Sequence, residues 1–357
     1  MNFKILDLSA SDEWNACLSK LPTEQQDIYF KPEYYSIYES NGDGKAMCFV
    51  FENDNGIALY PFLLNSVNKL GYKLDQEYFD IQGAYGYNGV ISSSYSNEFI
   101  SEFYSAFDSF CKSHNIVAEF TRFHPLLENY KFSAENLTVI KDRQTVLLNI
   151  ESSIEEISKN CYSSINRNMI RKAIKSNITI RVEEEESGYY KFYELYSEAM
   201  SQIKALPYYY FDKNYIRNFR QSLNKNQFLL FAELDGKVIC GMLLMIYKQY
   251  AHYHLSCRVR EFSRLAPNNL ILDHAIKLAK EQKCTRFHLG GGLSNSDKDS
   301  LFKFKSGFSK TYNDFYIGKK VHNKKVYDEI VSQWQNKFAG SFSKSNNRLL
   351  GYREIVE

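Results

Sequence analysis

The sequence predicts an α/β protein (α+β in detail) of two related modules, each a mixed central sheet flanked by helices. Three observations lead there. A chain of 357 residues exceeds what a single hydrophobic core usually serves. Segments with strand-like and helix-like periodicity alternate along its whole length. The second half also repeats the coarse order of the first, although no residue-level repeat is visible.

The elements follow in order. Residues 47–52 and 56–64 read as two strands around the turn Asn53-Asp54-Asn55. A loop rich in Gly and Tyr occupies 80–89. Residues 97–114 form a helix, because Phe99, Phe103, Phe107 and Phe110 recur on one face, a stripe suited to a core. Residues 116–123 give a strand stopped by Pro125, and 145–149 another. From Ser153 the character changes: 154–175 reads as a long basic helical region without Gly or Pro, linking the halves. A helix at 189–203 follows. Residues 228–234 and 237–247 make a hairpin around Asp235-Gly236. Beyond it come a strand at 251–257, a helix at 268–283 and a strand at 286–289 that runs into Gly290-Gly291-Gly292. The expected domains are 1–152, 153–325 and a C-terminal helical tail, 326–357, whose last part (338–357) reads as polar and then helical.

Composition narrows the function. The 44 basic and 42 acidic residues leave a net charge of +2, which argues against a dedicated duplex-DNA binder. Local basic stretches remain at 167–175, 303–310 and 319–325. Tyrosines number 28 and phenylalanines 26, more than one core needs. Two readings stay open: a codon bias toward Phe, Tyr, Lys and Asn, or a cleft lined with amphipathic rings for a ligand with apolar and polar parts. Seven dispersed cysteines include no C-x-x-C pair, and their odd count fits reduced thiols better than a disulfide framework. His252 and His254 lack a third ligand at zinc-site spacing, so no metal is expected. No apolar run approaches the roughly 20 residues of a membrane helix or resembles a signal peptide, so a soluble, cytoplasmic protein is expected.

Three segments carry a family resemblance. The first is residues 78–89, YFDIQGAYGYNG, followed by EFTRFHP at 119–125. The second is NMIRKA at 168–173. The third is HLGGG at 288–292 with DSLFKFKSGF at 299–308. The layout, over about residues 45–320, resembles the Fem-type peptidyltransferases and their relatives in surface-glycan synthesis. The resemblance implies two tandem acetyltransferase-like (GNAT-like) modules packed side by side, with an acceptor in a cleft. It implies transfer of an aminoacyl or other acyl group to an amine of a nucleotide-linked or lipid-linked sugar, glycan or peptide precursor. The donor would be aminoacyl-tRNA, so charged tRNA is an expected partner, or acyl-CoA; no tightly bound cofactor is expected. An acyl-CoA-dependent N-acyltransferase of an amino sugar is the alternative, and a non-catalytic glycan or nucleotide binder on the same fold the second.

The candidate site residues follow. Acyl transfer passes through an anionic tetrahedral intermediate that a fixed cation or donor stabilises. The resemblance assigns that task to the motif lysine, here Lys305. Lys303, two residues away, would face the same side if the segment were a strand. Asp80 would orient or deprotonate the attacking amine, or else cap a turn. Gly290, Gly291 and Gly292 let the backbone take positive φ and approach a ligand, or serve only a tight turn. Tyr85 and Tyr87 would stack on a sugar or base, or else serve packing. Arg122, His124, Asn168 and Arg171 are candidates for a phosphate or carboxylate clamp. His254, alternating with His252 on a strand, would line the cleft. Residues 263–269, SRLAPNN, precede a helix where an acetyl-CoA enzyme carries a glycine-bearing pyrophosphate loop. They hold no glycine, which weakens the acyl-CoA reading.

Overall fold

A computed structural model describes residues 3–294, 296, 298–337 and 348–354. The chain forms two compact units, Met1–Asp142 with Phe315–Glu357, and Arg143–Asp314.

The first unit is built on β1 (Phe3–Asp7), β2 (Lys45–Asn53), β3 (Gly56–Ser66), β4 (Phe79–Gln82), β5 (Ile91–Ser92), β6 (Ile116–Arg122) and the distal part of β13 (Thr311–Val321). Its strands lie in the order β1-β2-β3-β4-β6-β13, with β5 paired to β3. All pairs are antiparallel except β4 with β6. The β2–β3 hairpin turns where Asn53 Oδ1 accepts the Asn55 amide at 2.8 Å, the local bond that makes Asn a turn former. A parallel pair needs a crossover, and α3 (Asn97–Ser113) lies within it. Ser96 caps that helix, and its phenylalanine stripe is wholly buried. Phe107 meets Phe49 edge to face, with ring centres 5.1 Å apart. Much of the aromatic excess is therefore core. Two short helices not anticipated from sequence, α1 (Ser11–Ser19) and α2 (Pro32–Ser40), bury Trp14, Tyr34, Tyr35 and Tyr38.

The C-terminal segment belongs to this unit, contrary to the separate tail expected. β13 pairs β6 from Ile317↔Arg122 to Val321↔Ala118. Val326, Ile330 and Trp334 of α10 (Lys324–Lys337) join Tyr72, Tyr78, Val117 and Tyr352 in one apolar cluster. The expectation for 338–347 and 355–357 lies outside the described residues.

The second unit orders its strands β7-β12-β11-β10-β9-β8. These are β7 (Thr138–Asn149), β8 (Thr179–Glu183), β9 (Gln227–Leu234), β10 (Lys237–Tyr247), β11 (Tyr250–Arg258) and β12 (Arg286–Gly290). The β9–β10 hairpin turns through Asp235 and Gly236, both at positive φ (50° and 76°), as a two-residue turn that follows strand twist requires. Again one pair is parallel, β11 with β12, and the helix α8 (Pro267–Glu281) crosses between them. Each unit thus contains a hairpin and a β-helix-β crossover, the shared pattern read from the sequence. Around the sheet run α4 (Ile154–Asn160), α5 (Ser164–Lys175), α6 (Glu186–Gln202), α7 (Lys213–Leu223) and α9 (Ser300–Ser306). The long helix expected over 154–175 is two. Ser153 and Glu156 form a capping box on α4, and Ser163 recaps α5 by accepting the Asn166 amide at 3.1 Å. Among the described residues no helix is long and apolar enough to cross a membrane.

Candidate active site

The second unit organises its site around the end of β12. The strand closes on Gly290 at φ +77°, the one member of the glycine run in the left-handed region. Gly292 is small for a different reason: a Cβ there would sit 2.5 Å from Asp299. Asp299 holds the following turn by accepting the Ser294 amide at 2.9 Å, and caps α9 by accepting the Phe302 amide at 2.9 Å. The F-K-x-G-F segment is therefore helix, not strand. Two residues apart on a helix point to nearly opposite sides, so Lys303 is exposed while Lys305 is only 6% exposed.

Lys305 turns inward to the glycine run. Its Nζ donates to the Gly291 carbonyl at 2.7 Å, and a side chain on Gly290 would come within 3.2 Å of that nitrogen. The Tyr253 ring centre lies 5.2 Å away. Burial pushes the ammonium pKa down to about 7, with the Asp299 carboxylate opposing. At neutral pH the group is thus both a hydrogen-bond donor and a partly neutral amine.

A residue missed from sequence supports α9. Asn166 occupies the inward stripe of α5 with Ile170 and Ala173, where an apolar residue would be expected. Its amide fills the space beside Gly307, where a Cβ would meet Nδ2 at 2.5 Å, and its Oδ1 accepts from Asn269 at 3.2 Å. The signal was present in the sequence as a polar residue at a core spacing. Asn168 and Arg171 lie on the exposed side of the same helix and bond to each other at 2.9 Å. His254 is buried at a β-bulge, where Leu243↔Leu255 gives way to Leu244↔Tyr253. Its ring stacks on Phe219 at 4.8 Å and bonds the Tyr215 hydroxyl at 3.3 Å. Burial, with His252 nearby, lowers its pKa to about 3, so it stays neutral.

The first unit's expected residues prove to be tied into its own framework. Arg122 donates from Nε to the Gly86 carbonyl at 3.1 Å and from Nη2 to those of Gly83 and Ala84 at 3.1 and 2.9 Å. The guanidinium, expected as part of an anion clamp, braces the 83–89 loop through these bonds. His124 is fully buried; Nδ1 accepts the Leu126 amide at 3.2 Å, and Nε2 faces Asp27 Oδ2 at 3.4 Å. Tyr87 packs its ring edge on His124 and on Tyr29, and Tyr85 gives its carbonyl to the Tyr34 hydroxyl at 2.6 Å. Asp27, Tyr29 and Tyr34 went unread in the sequence, although the run of tyrosines through α2 marks the place.

Asp80, expected to orient or deprotonate the amine or to cap a turn, is tied in the same way. Its carboxylate is fully buried, receives Arg353 Nε at 2.9 and 2.7 Å, and receives the Tyr352 hydroxyl at 2.7 Å. Burial pushes its pKa up more than these partners pull it down. A carboxylate so enclosed fastens the C-terminal segment and has no open side for a substrate amine.

Residues 163–305 match the family model of the acetyltransferase (GNAT) domain, a match that ends on Lys305. Among solved structures the chain is similar to FemX, with 16% identity and a TM-score of 0.71, over 92% of this chain and 99% of that one. It is similar to L-PGS from Bacillus licheniformis at 13% identity and TM-score 0.56, over 90% and 95% of the two chains. A conserved protein of unknown function from Bacteroides thetaiotaomicron VPI-5482 aligns at 10% identity and TM-score 0.54, over 89% and 98%. No curated protein matches the sequence. At these identities the structural likeness is one of fold. The domain match defines the class: the chain is an acyltransferase. Over most of its length it has the fold of FemX, and residues 163–305 are its acetyltransferase (GNAT) domain.

Proposed function

We propose that this protein moves an aminoacyl or acyl group onto an amine of a nucleotide-sugar, glycan or peptidoglycan-type precursor, with Lys305 as the donor to the developing oxyanion. The observation that carries the reading is the buried Lys305 ammonium held at the glycine run, at the end of an acetyltransferase domain. In such a transfer a neutral amine attacks the acyl carbonyl and forms a C–N bond. The ester C–O bond of an aminoacyl-tRNA, or the thioester C–S bond of an acyl-CoA, then breaks. The amine gives up a proton and the departing hydroxyl or thiol gains one. A donor fixed in a water-poor site stabilises the intermediate oxygen without reorganising at that moment. The backbone at Gly290 and Gly291 offers close approach for the acyl group. The Fem-type resemblance favours aminoacyl-tRNA as donor, and the exposed Asn168, Arg171 and Lys303 supply basic and polar surface for it.

The acetyltransferase domain match favours acyl-CoA as a second reading. Ala266 adopts the left-handed conformation (φ 60°) that glycine would normally supply before α8, but Pro267 removes one amide from the helix start. Acyl-CoA, charged tRNA and amino-sugar nucleotides are to be offered separately in calorimetry, with transfer followed by mass spectrometry of the acceptor. Acceptor mass that grows by one acyl residue supports the proposal, and the donor consumed decides between the two readings. Tight binding of acceptor without transfer from either donor refutes it.

A further inference from the structure

We infer that the first unit holds a zinc-type divalent cation between α3, β6 and the end of β13, with Cys111, Glu119 and His322 as ligands. Three elements bring the ligands together. Cys111 sits in the last turns of α3 and is buried. Glu119 lies on β6 directly opposite Lys320 of β13. His322 follows β13 by one residue, and its backbone amide is pinned to the Val117 carbonyl at 2.8 Å. The Cys111 sulfur, a Glu119 carboxylate oxygen and a His322 ring nitrogen all lie within 4.8 Å of one another.

Two independent features point to a ligand here rather than to packing. Glu119 is fully buried; Oε2 meets His322 Nε2 at 3.2 Å, while Oε1 has no hydrogen-bond partner among the described residues. An unsatisfied buried carboxylate oxygen is costly, and a cation removes that cost. Asp108 faces the other imidazole nitrogen, Nδ1, at 3.7 Å, and is itself held by Lys320 at 2.6 Å. It precedes Cys111 by one helical turn, so both project from the same side of α3. A carboxylate on the far nitrogen of a ligating histidine is the outer arrangement that fixes the ring and its tautomer in metal sites. Thiolate, imidazole and carboxylate together select zinc over harder cations. An open cavity of about 540 Å³, lined among others by Asp108, Cys111, Lys320 and His322, adjoins the cluster and admits water as a fourth ligand. Sequence spacing could not show the site, because its ligands stand eight and about 200 positions apart.

The test uses the full chain, free of any affinity tag, purified without chelator. Elemental analysis after zinc addition and dialysis should find about one zinc per chain. Replacement by cobalt should give a thiolate-to-metal charge-transfer band. Cys111→Ser abolishes that band, His322→Gln abolishes stoichiometric binding, and Asp108→Asn weakens affinity about 10- to 100-fold while keeping all three ligands. Circular dichroism confirms that each variant is folded. A metal-free full chain after zinc addition overturns the inference and leaves Glu119 and His322 as a simple buried pair. A cobalt band that survives Cys111→Ser overturns it as well.

Discussion

Lys305 and Asp80 are both candidate site residues read from the sequence, and they differ in the distance along the chain to their partners. Lys305 meets Gly291 only 14 positions away, within one motif, and the structure keeps it buried and directed at the glycine run. Its replacement tests the mechanism directly. Lys305→Ala should lower the rate of transfer at least about tenfold, the effect of losing one oxyanion donor, with little change in substrate affinity. Unchanged turnover would remove Lys305 from the chemistry. Asp80 finds Arg353 and Tyr352 more than 270 positions along the chain, a contact no local pattern encodes. Asp80→Asn should therefore cost about 2 kcal/mol of stability, below the figure for a completely buried pair because Arg353 is partly exposed. Turnover per folded molecule should stay at the parent level. A variant with native melting behaviour and impaired transfer would restore Asp80 as a catalytic base.

Elements were legible where periodicity and turn chemistry agreed. The phenylalanine stripe of α3 and the Asp235-Gly236 hairpin are examples, since each is fixed by residues within its own segment. The segment carrying Lys305 was not. Its alternation of Phe and Lys has the period of a strand, yet Asp299 caps it as a helix and Gly307 ends it against Asn166. Capping and tertiary packing outweigh a four-residue alternation. Helical geometry makes the two lysines unequal: Lys303→Ala should leave the melting temperature and the turnover at saturating donor within assay error, while weakening donor binding. Gly307→Ala drives a Cβ against Asn166 Nδ2, where α5 and α9 meet. It should destabilise the protein by about 1–3 kcal/mol and depress transfer through the displaced helix. If Gly307→Ala shifts neither, the Asn166 contact does not position α9. The division of 154–175 into α4 and α5 follows the same lesson, because Ser153 and Ser163 cap helices that hydrophobic spacing alone would join.

At the scale of the whole molecule, the two α/β modules followed from element order. The return of the C-terminal segment to the first unit did not, since β13 and α10 rest on pairings with residues roughly 200 and more positions earlier. One global property still follows from a single group. Lys305 has an ordinary pKa of 10.5 in the unfolded chain and about 7 in the folded one, because burial disfavours its charge. Between those values the unfolded state binds more protons than the native state, so stability rises with pH. Below about pH 7 both states carry the charge, and the full burial cost is present. Lys305→Met removes the group and keeps an apolar chain of similar length, while every other titration is shared with the parent. Urea denaturation of both proteins from pH 6 to pH 10 should show the variant more stable at pH 6, with the difference shrinking steadily as pH rises. A difference independent of pH would mean that Lys305 stays charged in the folded protein. Its contribution to transfer would then be purely that of a fixed cation, and a neutral amine would have no part in the pH dependence of the rate.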